Sequence, residues 1–394
     1  MNRTLLRWTV PAAAAVAVVA AATIPTLASA DSADLPEVTP DELVAAIAEA
    51  EPVPMSGSAV YTARLGLPEI PTELTGGADP LNLLAGSSTI RTWTDAESRS
   101  RISLLGSTSE YSVVTNGPEA WTYASGSNEV THVTLGPDTQ QRLSDAEEEQ
   151  AAAQSAGTVP TPQQLAQDAL ERAREHADVA IADATVVAGR DAYQVVITPT
   201  DAGTLVDRFV IAVDGETLTP LSVQVWSVEA TDAPAVELAY TDVSFTAPSD
   251  AALTFSVPSG AEVQEKVLEI GDAQGQHHPD GLPEGVTVTG EGFATIVERT
   301  DVDVQGLLAG DPAAVADELD DSPLGGGPGG DLIDELGGHG TDLDAAALYE
   351  QLTTPVDGGR LLSSALLSVL ITDDGRVLVG AVPGEALLEA AGLA

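Results

Sequence analysis

Cysteine is absent from the 394-residue chain, and lysine occurs only once, at Lys266. Without cysteine, the chain has no disulfide, no catalytic thiol and no cysteine that could carry a lipid anchor. Aromatic residues make up only 4% of the sequence. Because hydrophobic residues still amount to 43%, the chain can form a sizeable core, built mainly from aliphatic side chains.

Positive charge is also scarce. Lysine and arginine together number 15, against 61 aspartate and glutamate residues, and the formal net charge is −46. Nucleic acids and anionic membrane surfaces repel such a chain, so we expect no nucleic-acid partner. The acidic surface favours solubility.

The first thirty residues have the composition of a secretory signal peptide. Two arginines precede an apolar stretch over residues 10–25, and residues 28–30, Ala-Ser-Ala, match a signal-peptidase site. We therefore expect cleavage near Ala30 and an exported, unanchored protein, in the cell envelope, a periplasm-like space or the medium. A retained N-terminal membrane anchor is the alternative.

Two groups of short strands are predicted. The first covers residues 56–135 and contains turn signals such as Asn116-Gly117, which favours an antiparallel meander. The second begins near residue 184 and ends near Pro258. One of its segments, GRDAYQVVITPT at residues 189–200, alternates apolar and polar residues. Strands of this second group present one apolar and one mainly polar face, as in a sheet covered on one side.

One amphipathic helix is predicted before each group of strands. The first begins at the capping sequence Thr-Pro-Asp-Glu of residues 39–42, and the second begins at the Thr-Pro of residues 161–162. Each helix has an apolar stripe that needs a surface to cover. The stripes include Leu43 and Ile47 in the first helix and Leu165 and Leu170 in the second.

The composition changes after residue 265. Residues 301–345 are rich in aspartate, glycine and proline, which is typical of a flexible linker, and Asp374-Gly375 predicts a hairpin turn between two apolar strands. The predicted divisions are a signal peptide (1–30), a main domain (31–265), a strand segment with linker (266–345), and a C-terminal helix-hairpin-helix segment (346–394) that docks on the main sheet.

The sequence contains no strong catalytic or metal-binding pattern. His277 and His278 are adjacent, so they cannot easily bind one ion, and no third ligand follows at a suitable spacing. The patterns G-x-S-x-G and H-E-x-x-H do not occur. The sequence therefore predicts no enzymatic activity, no cofactor and no metal site.

Two stretches carry a resemblance to a known family. Residues 114–133 combine a strand, an Asn-Gly turn, an aromatic strand and a return strand. Residues 187–225 combine the turn Gly189-Arg190, a strand ending at a proline, a strand ending at Asp214, and a Leu-Thr-Pro-Leu entry to the next strand. Over residues 40–260 the chain resembles the LolA-like superfamily, which includes periplasmic lipoprotein carriers, MucB/RseB envelope-stress sensors and mycobacterial lipid-binding lipoproteins.

The resemblance implies an α+β fold: a strongly curved antiparallel sheet, or half-open β-barrel, with amphipathic helices as a lid, followed here by a small C-terminal α/β extension. It also implies a non-enzymatic cavity that holds the acyl chain of a lipid or lipoprotein. Some carriers fasten the lid with an Arg-Pro pair. This chain lacks that pair, and Arg91, Arg99 and Arg101 only lie in the corresponding region.

A set of strand residues is expected to face this cavity. It consists of Val113, Trp121, Tyr123, Tyr193, Val195, Ile197, Phe209, Ile211, Val223 and Val225. For the aromatic members, an ordinary sheet core is the alternative.

Three functions are compatible with the sequence. The first is an exported acyl-chain carrier. The second is a MucB/RseB-like sensor that binds a membrane-anchored envelope protein such as an anti-sigma factor. The third is a structural envelope protein without a ligand.

Overall fold

The computed structural model describes residues 35–67, 77–137, 139–141, 172–268, 285–300, 302–304, 306 and 345–394. The predicted signal peptide lies outside these residues. So do Leu165 and Leu170 of the second predicted helix, and most of the predicted linker.

An open sheet of twelve strands forms the larger part of the described chain. Its strands are β1 (Met55–Ala63), β2 (Gly86–Thr94), β3 (Arg99–Leu105), β4 (Glu110–Asn116), β5 (Glu119–Ala124), β6 (Glu129–Leu135), β7 (Ala177–Val187), β8 (Arg190–Pro199), β9 (Val206–Asp214), β10 (Pro220–Ser227), β11 (Val236–Ser244) and β12 (Glu262–Leu268). The spatial order is β12-β6-β5-β4-β3-β2-β1-β11-β10-β9-β8-β7. The sheet is curved and its end strands do not meet, which confirms the predicted open, curved sheet.

The sheet consists of two antiparallel meanders, β1 to β6 and β7 to β11, joined at its centre. There β1 pairs with β2 on one side and β11 on the other, so that Tyr61 lies between Ser88 and Leu238. Both meanders follow the order of the sequence, as the short turns predict.

Strand β12 is added to the edge of the sheet in parallel to β6, with Val263 opposite Val130. To reach this edge, the chain passes across β2 to β4 through a short helix, α2 (Asp250–Leu253). The sequence does not predict this strand, because parallel pairing joins segments that are distant in sequence and leaves no turn signal.

A second sheet of six antiparallel strands follows. Its strands are β13 (Val286–Thr289), β14 (Ile296–Arg299), β15 (Thr354–Val356), β16 (Gly359–Ser363), β17 (Ser368–Thr372) and β18 (Val377–Gly380), in the order β13-β14-β18-β17-β16-β15. The predicted turn at Asp374-Gly375 joins β17 and β18. Strands from both sides of the predicted linker thus share one sheet, while the domain boundaries at 265 and 345 stay predictions.

Two further helices belong to this region: α3 (Ala345–Leu352) and α4 (Gly384–Ala391). Leu387 of α4 is fully buried against Leu370 and Leu378 of the second sheet. Strands β13 to β18 and α4, which lie within residues 285–300 and 354–394, are called the C-terminal unit below.

Candidate ligand-binding face

One face of the large sheet carries two apolar rows. Directly opposed residues of an antiparallel pair place their side chains on the same face, so the strand register identifies each row. The first row is Val195, Ile211, Val223, Leu238 and Tyr61, and the second is Ile197, Phe209, Val225, Val236 and Ala63. The rows cross β8, β9, β10, β11 and β1.

An amphipathic helix, α1 (Pro40–Glu49), covers one end of these rows. Leu43 is 1% exposed and packs with Tyr193 and Val195, and Ile47 contacts the same cluster. The face that bears Tyr193 and α1 is called the helix face. The stripe predicted from Leu43 and Ile47 therefore lies on the apolar face of GRDAYQVVITPT.

Local sequence defines where α1 begins. The Glu42 N–H donates to Thr39 Oγ1 over 3.3 Å, and the Thr39 N–H donates to Glu42 Oε2 over 2.8 Å. This reciprocal arrangement is a capping box, and Pro40 at the first turn has no N–H to leave unsatisfied. The start of the helix follows from residues 39–42 alone, as the sequence predicts.

An ion pair connects α1 to the chain that follows the second predicted helix. Arg174 Nη1 and Nη2 donate to Asp41 Oδ1 and Oδ2, each over 2.9 Å. These hydrogen bonds from Arg174 hold the pKa of Asp41 below its ordinary value. The two segments expected to cover the sheet thus meet at Arg174 and Asp41.

Below α1, a second ion pair organises the turn between β9 and β10. Arg190 Nη2 donates to Asp214 Oδ1 over 2.9 Å, and the Thr217 N–H donates to the same oxygen over 2.7 Å. Burial opposes ionisation of Asp214, but these hydrogen bonds outweigh it and lower its pKa. A Cβ at Gly215 would lie 2.4 Å from Leu35 Cδ2, so only glycine lets Leu35 pack over this turn.

Two of the ten predicted cavity residues lie on the opposite face. Val113 is opposed by Thr122, so the neighbours of Thr122 in β5, Trp121 and Tyr123, point to the other side. There the Trp121 ring stacks on His132 with centroids 4.9 Å apart, and both Trp121 and Tyr123 lie near Phe255. The expectation that they share a cavity with Val195 is wrong.

The eight other predicted residues lie on the helix face. Tyr193, Val195, Ile197 and Ile211 are grouped under α1, and Val113, Phe209 and Val225 belong to a neighbouring cluster around Tyr61. Val223 lies between Ile211 and Leu238 in the first row. Whether they contact a ligand stays a prediction.

Val113 lies where the helix face becomes more polar. Its row crosses β2 to β6 and consists of Thr92, Ile102, Val113, Thr122 and Thr131. Ile102 is 50% exposed. The continuous apolar surface is therefore confined to β1 and β7–β11.

Residues missed by the sequence analysis complete the apolar rows. Val236 and Leu238 of β11 and Tyr61 of β1 lie on the helix face, and Tyr61 is 5% exposed. The alternation of Val236, Leu238 and Tyr240 in the sequence carries the same signal that identified the other strands. In β1, the alternating residues Ala59, Tyr61 and Ala63 include only one large side chain, which weakens the signal.

The arginines considered as lid contacts are also on the opposite face, or exposed. Arg99 forms ion pairs with Asp95 at 2.7 Å and Asp250 at 3.0 Å. Arg101 Nη2 donates to the Thr254 carbonyl over 3.1 Å. Arg99 and Arg101 therefore hold the segment around α2 against the opposite face, while Arg91 is exposed.

The C-terminal unit touches the other end of the apolar rows. The Phe293 and Phe209 rings lie 5.7 Å apart, and Leu366 and Ala381 pack against the cluster that contains Val225 and Tyr61. The helix face is thus covered at one end by α1 and at the other by the C-terminal unit.

Groups suited to metal binding were sought in the described part of the chain. No group of three or more histidine, cysteine, aspartate or glutamate side chains there is arranged to hold a metal ion. Among the helices of the described ranges, none has the length and apolar content needed to cross a membrane. The helix face offers mainly apolar contact to a ligand.

Comparison with known proteins gives matches only among solved structures. No protein-family model and no curated protein matches the chain. A chain of the Pseudomonas aeruginosa MucA/MucB complex is 14% identical over 89% of this chain and 96% of that chain, with a TM-score of 0.41. A LolA superfamily protein from Nitrosomonas europaea is 10% identical over 56% of this chain and 99% of its own, with a TM-score of 0.21.

A third similar structure is a putative outer membrane lipoprotein-sorting protein domain from Vibrio parahaemolyticus. It is 10% identical over 52% of this chain and 91% of its own length, with a TM-score of 0.19. The solved structures thus include the superfamily that the sequence resembles. The function proposed below rests on the side chains of this chain.

Proposed function

We propose that the protein is an exported, non-enzymatic carrier that binds the acyl chain of a lipid or lipoprotein on the helix face. The observation that supports this most directly is the continuous apolar surface under α1. Only one residue of α1, Leu43, is fully buried on it. The cover is therefore small compared with the surface that it covers.

The energetics favour exchange of the helix for a ligand. Full burial of Leu43 and partial burial of Ile47 together contribute roughly 3–4 kcal/mol. An acyl chain that buries about 300 Å² of apolar surface would contribute about 7 kcal/mol before the costs of association. A ligand can shift the helix only by this difference in free energy, and its sign favours the ligand.

The first test is whether the exported protein carries a lipid. We would purify the chain from residue 31 onward from a bacterial periplasm, record native mass spectra, and extract the sample with organic solvent. A discrete additional mass that resolves into a lipid or lipoprotein is the expected result. A bare chain that also fails to bind cis-parinaric acid, a fluorescent fatty acid, would contradict the carrier function.

A matched pair of variants tests the face. Ile197 lies on the helix face, and its neighbour Val196, also half-buried, lies on the opposite face. Ile197→Asp places a charge on the apolar surface and is expected to abolish binding of cis-parinaric acid, while Val196→Asp is the control and should retain it. Equal binding by both folded variants would mean that the ligand lies elsewhere.

A second candidate is a sensor that binds a membrane-anchored envelope protein. The observation in its favour is that the C-terminal unit contacts the helix face through Phe293, so a ligand and a protein partner could affect each other. Co-purification of a membrane protein with the full chain, lost when the chain ends at residue 268, would support it. A chain that binds neither lipid nor protein would favour the structural role.

A further inference from the structure

We infer that the C-terminal unit is a second cover of the helix face and competes with the acyl ligand for the end formed by Phe209 and Val225. This inference rests on the proposed acyl-binding function and specifies how that site is regulated. In the structure described here, this end is occupied by the chain itself.

The apolar part of the contact comes from loops of the C-terminal unit. Phe293 precedes β14, and its ring lies 5.7 Å from Phe209 at an interplanar angle of 41°. Leu366, between β16 and β17, and Ala381, after β18, pack against the cluster that contains Val225. Phe209 and Val225 belong to the second apolar row, so these loops cover residues that an acyl chain would use.

Backbone hydrogen bonds fix the position of the loops. The Leu205 N–H donates to the Ala381 carbonyl over 2.7 Å, and the Ala365 N–H donates to the Leu65 carbonyl over 2.8 Å. Ser227 Oγ also donates to the Ala365 carbonyl over 2.6 Å. Because these bonds join the two sheets outside any strand ladder, they form only when the C-terminal unit is docked.

Asp201 provides a third connection. Its Oδ2 accepts from the Phe293 N–H over 2.9 Å, and its Oδ1 accepts from His176 Nδ1 over 3.0 Å. Gly292 has φ +54°, and a Cβ there would lie 2.1 Å from Asp201 Oδ2. A larger residue at position 292 is therefore incompatible with the docked arrangement.

The contact is suited to reversible docking. It consists of a few apolar side chains and single hydrogen bonds, which is modest for an interface between units of one chain. Covalent attachment raises the effective concentration of such a weak partner to the millimolar range, so it can still occupy the face in the absence of ligand. An acyl chain with more apolar area can then displace it.

The test is hydrogen exchange on the whole mature chain, with and without cis-parinaric acid. The amides of Leu205, Ala365 and Phe293 report docking directly, because their acceptors belong to the other unit or contact it. Saturation with the fatty acid is expected to accelerate exchange at all three. Saturation without acceleration would overturn the inference.

Variants test the competition from the other side. Phe293→Ala removes the aromatic contact and is expected to tighten cis-parinaric acid binding about three- to tenfold. Gly292→Val is expected to act in the same direction. Phe245→Ala is the control, since Phe245 packs against Arg190 outside the contact with the C-terminal unit, and it should leave the affinity unchanged.

The outcomes separate this inference from the proposed function. Tight binding that is unchanged in an undocked variant, or weakened, would contradict competition while leaving the carrier function intact. No binding by any variant, with exchange showing that Gly292→Val is undocked, would contradict the carrier function itself and with it the inference.

Discussion

Arg190 of β8 and Asp214 of β9 form a hydrogen-bonded ion pair in which the carboxylate is 1% exposed and the guanidinium 28% exposed. Both Arg190 Nε and Nη2 donate to the carboxylate, and Nη2 also reaches Glu216. These two residues occupy the positions where the sequence resembles the MucB/RseB pattern. Their role in this chain is to fix the β9–β10 turn beneath α1.

The first prediction concerns this pair. Asp214→Ala leaves Arg190 without its main partner and removes the acceptor for Thr217, so we expect the free energy of unfolding to fall by about 3 kcal/mol. Chemical denaturation followed by tryptophan fluorescence measures it. Glu216→Gln, which affects an exposed partner of the same arginine, should have little effect. Equal losses in both variants would contradict this account.

The same pair predicts a pH dependence. The pKa of Asp214 is lower in the folded state than in an unfolded chain, so its stabilisation is complete well above pH 4 and is lost as the pH falls through the folded-state pKa. Asp214→Asn should therefore flatten the acid side of the stability profile. An unchanged slope below pH 4 in this variant would contradict the prediction.

The second prediction concerns the opening of α1. Asp41→Asn removes the ion pair with Arg174, and because both side chains are largely exposed we expect global stability to stay nearly constant. The rate of cis-parinaric acid uptake, measured by stopped-flow fluorescence, should rise about twofold at low salt and converge with the wild type at high salt. Glu49→Gln removes the same charge from the other end of α1 and should not change the rate.

The third prediction concerns the opposite face. Trp121 and Phe255 pack there, so Trp121→Ala should lower the free energy of unfolding by at least about 2 kcal/mol and leave the affinity for cis-parinaric acid unchanged. Thermal unfolding and a fluorescence titration on the same sample measure the two effects. A selective loss of affinity in a stable variant would return Trp121 to the ligand site.

The fourth prediction concerns Tyr61, which lies in the first apolar row. Burial raises its pKa to about 12, and its hydroxyl donates to the Leu83 carbonyl. An unfolded tyrosine ionises near pH 10, so the stability contributed by the neutral phenol is present below that pH and is lost between about pH 10 and 12. Ultraviolet difference titration should show one late ionisation that disappears in Tyr61→Phe.

Local patterns were sufficient to predict the second meander. Alternation in β8, β9 and β10 identified the apolar face because each strand has one polar side, as in the segment from Tyr193 to Thr198. The capping box identified the start of α1 because its hydrogen bonds lie within four residues.

The first meander could not be oriented in the same way. Strand β4 has Tyr111 and Val113 on one side and Val114 on the other, and both Tyr111 and Val114 are buried, so the pattern does not select a face. The side chains that decide the orientation, such as Phe255 over Trp121, come from a segment more than a hundred residues away. Parallel pairing of β12 and the joining of β14 with β18 are likewise long-range contacts.

The pairing of β1 with β11 also determines how the large sheet can be assembled. Each meander is formed by neighbours in sequence, but Ala59 and Tyr240 become partners only after most of the domain has been synthesised and exported. Closing so long a loop is entropically costly, and such contacts slow folding. Until that step is complete, β1 and β11 are both unpaired edges, so this is the stage at which the chain is most exposed to aggregation.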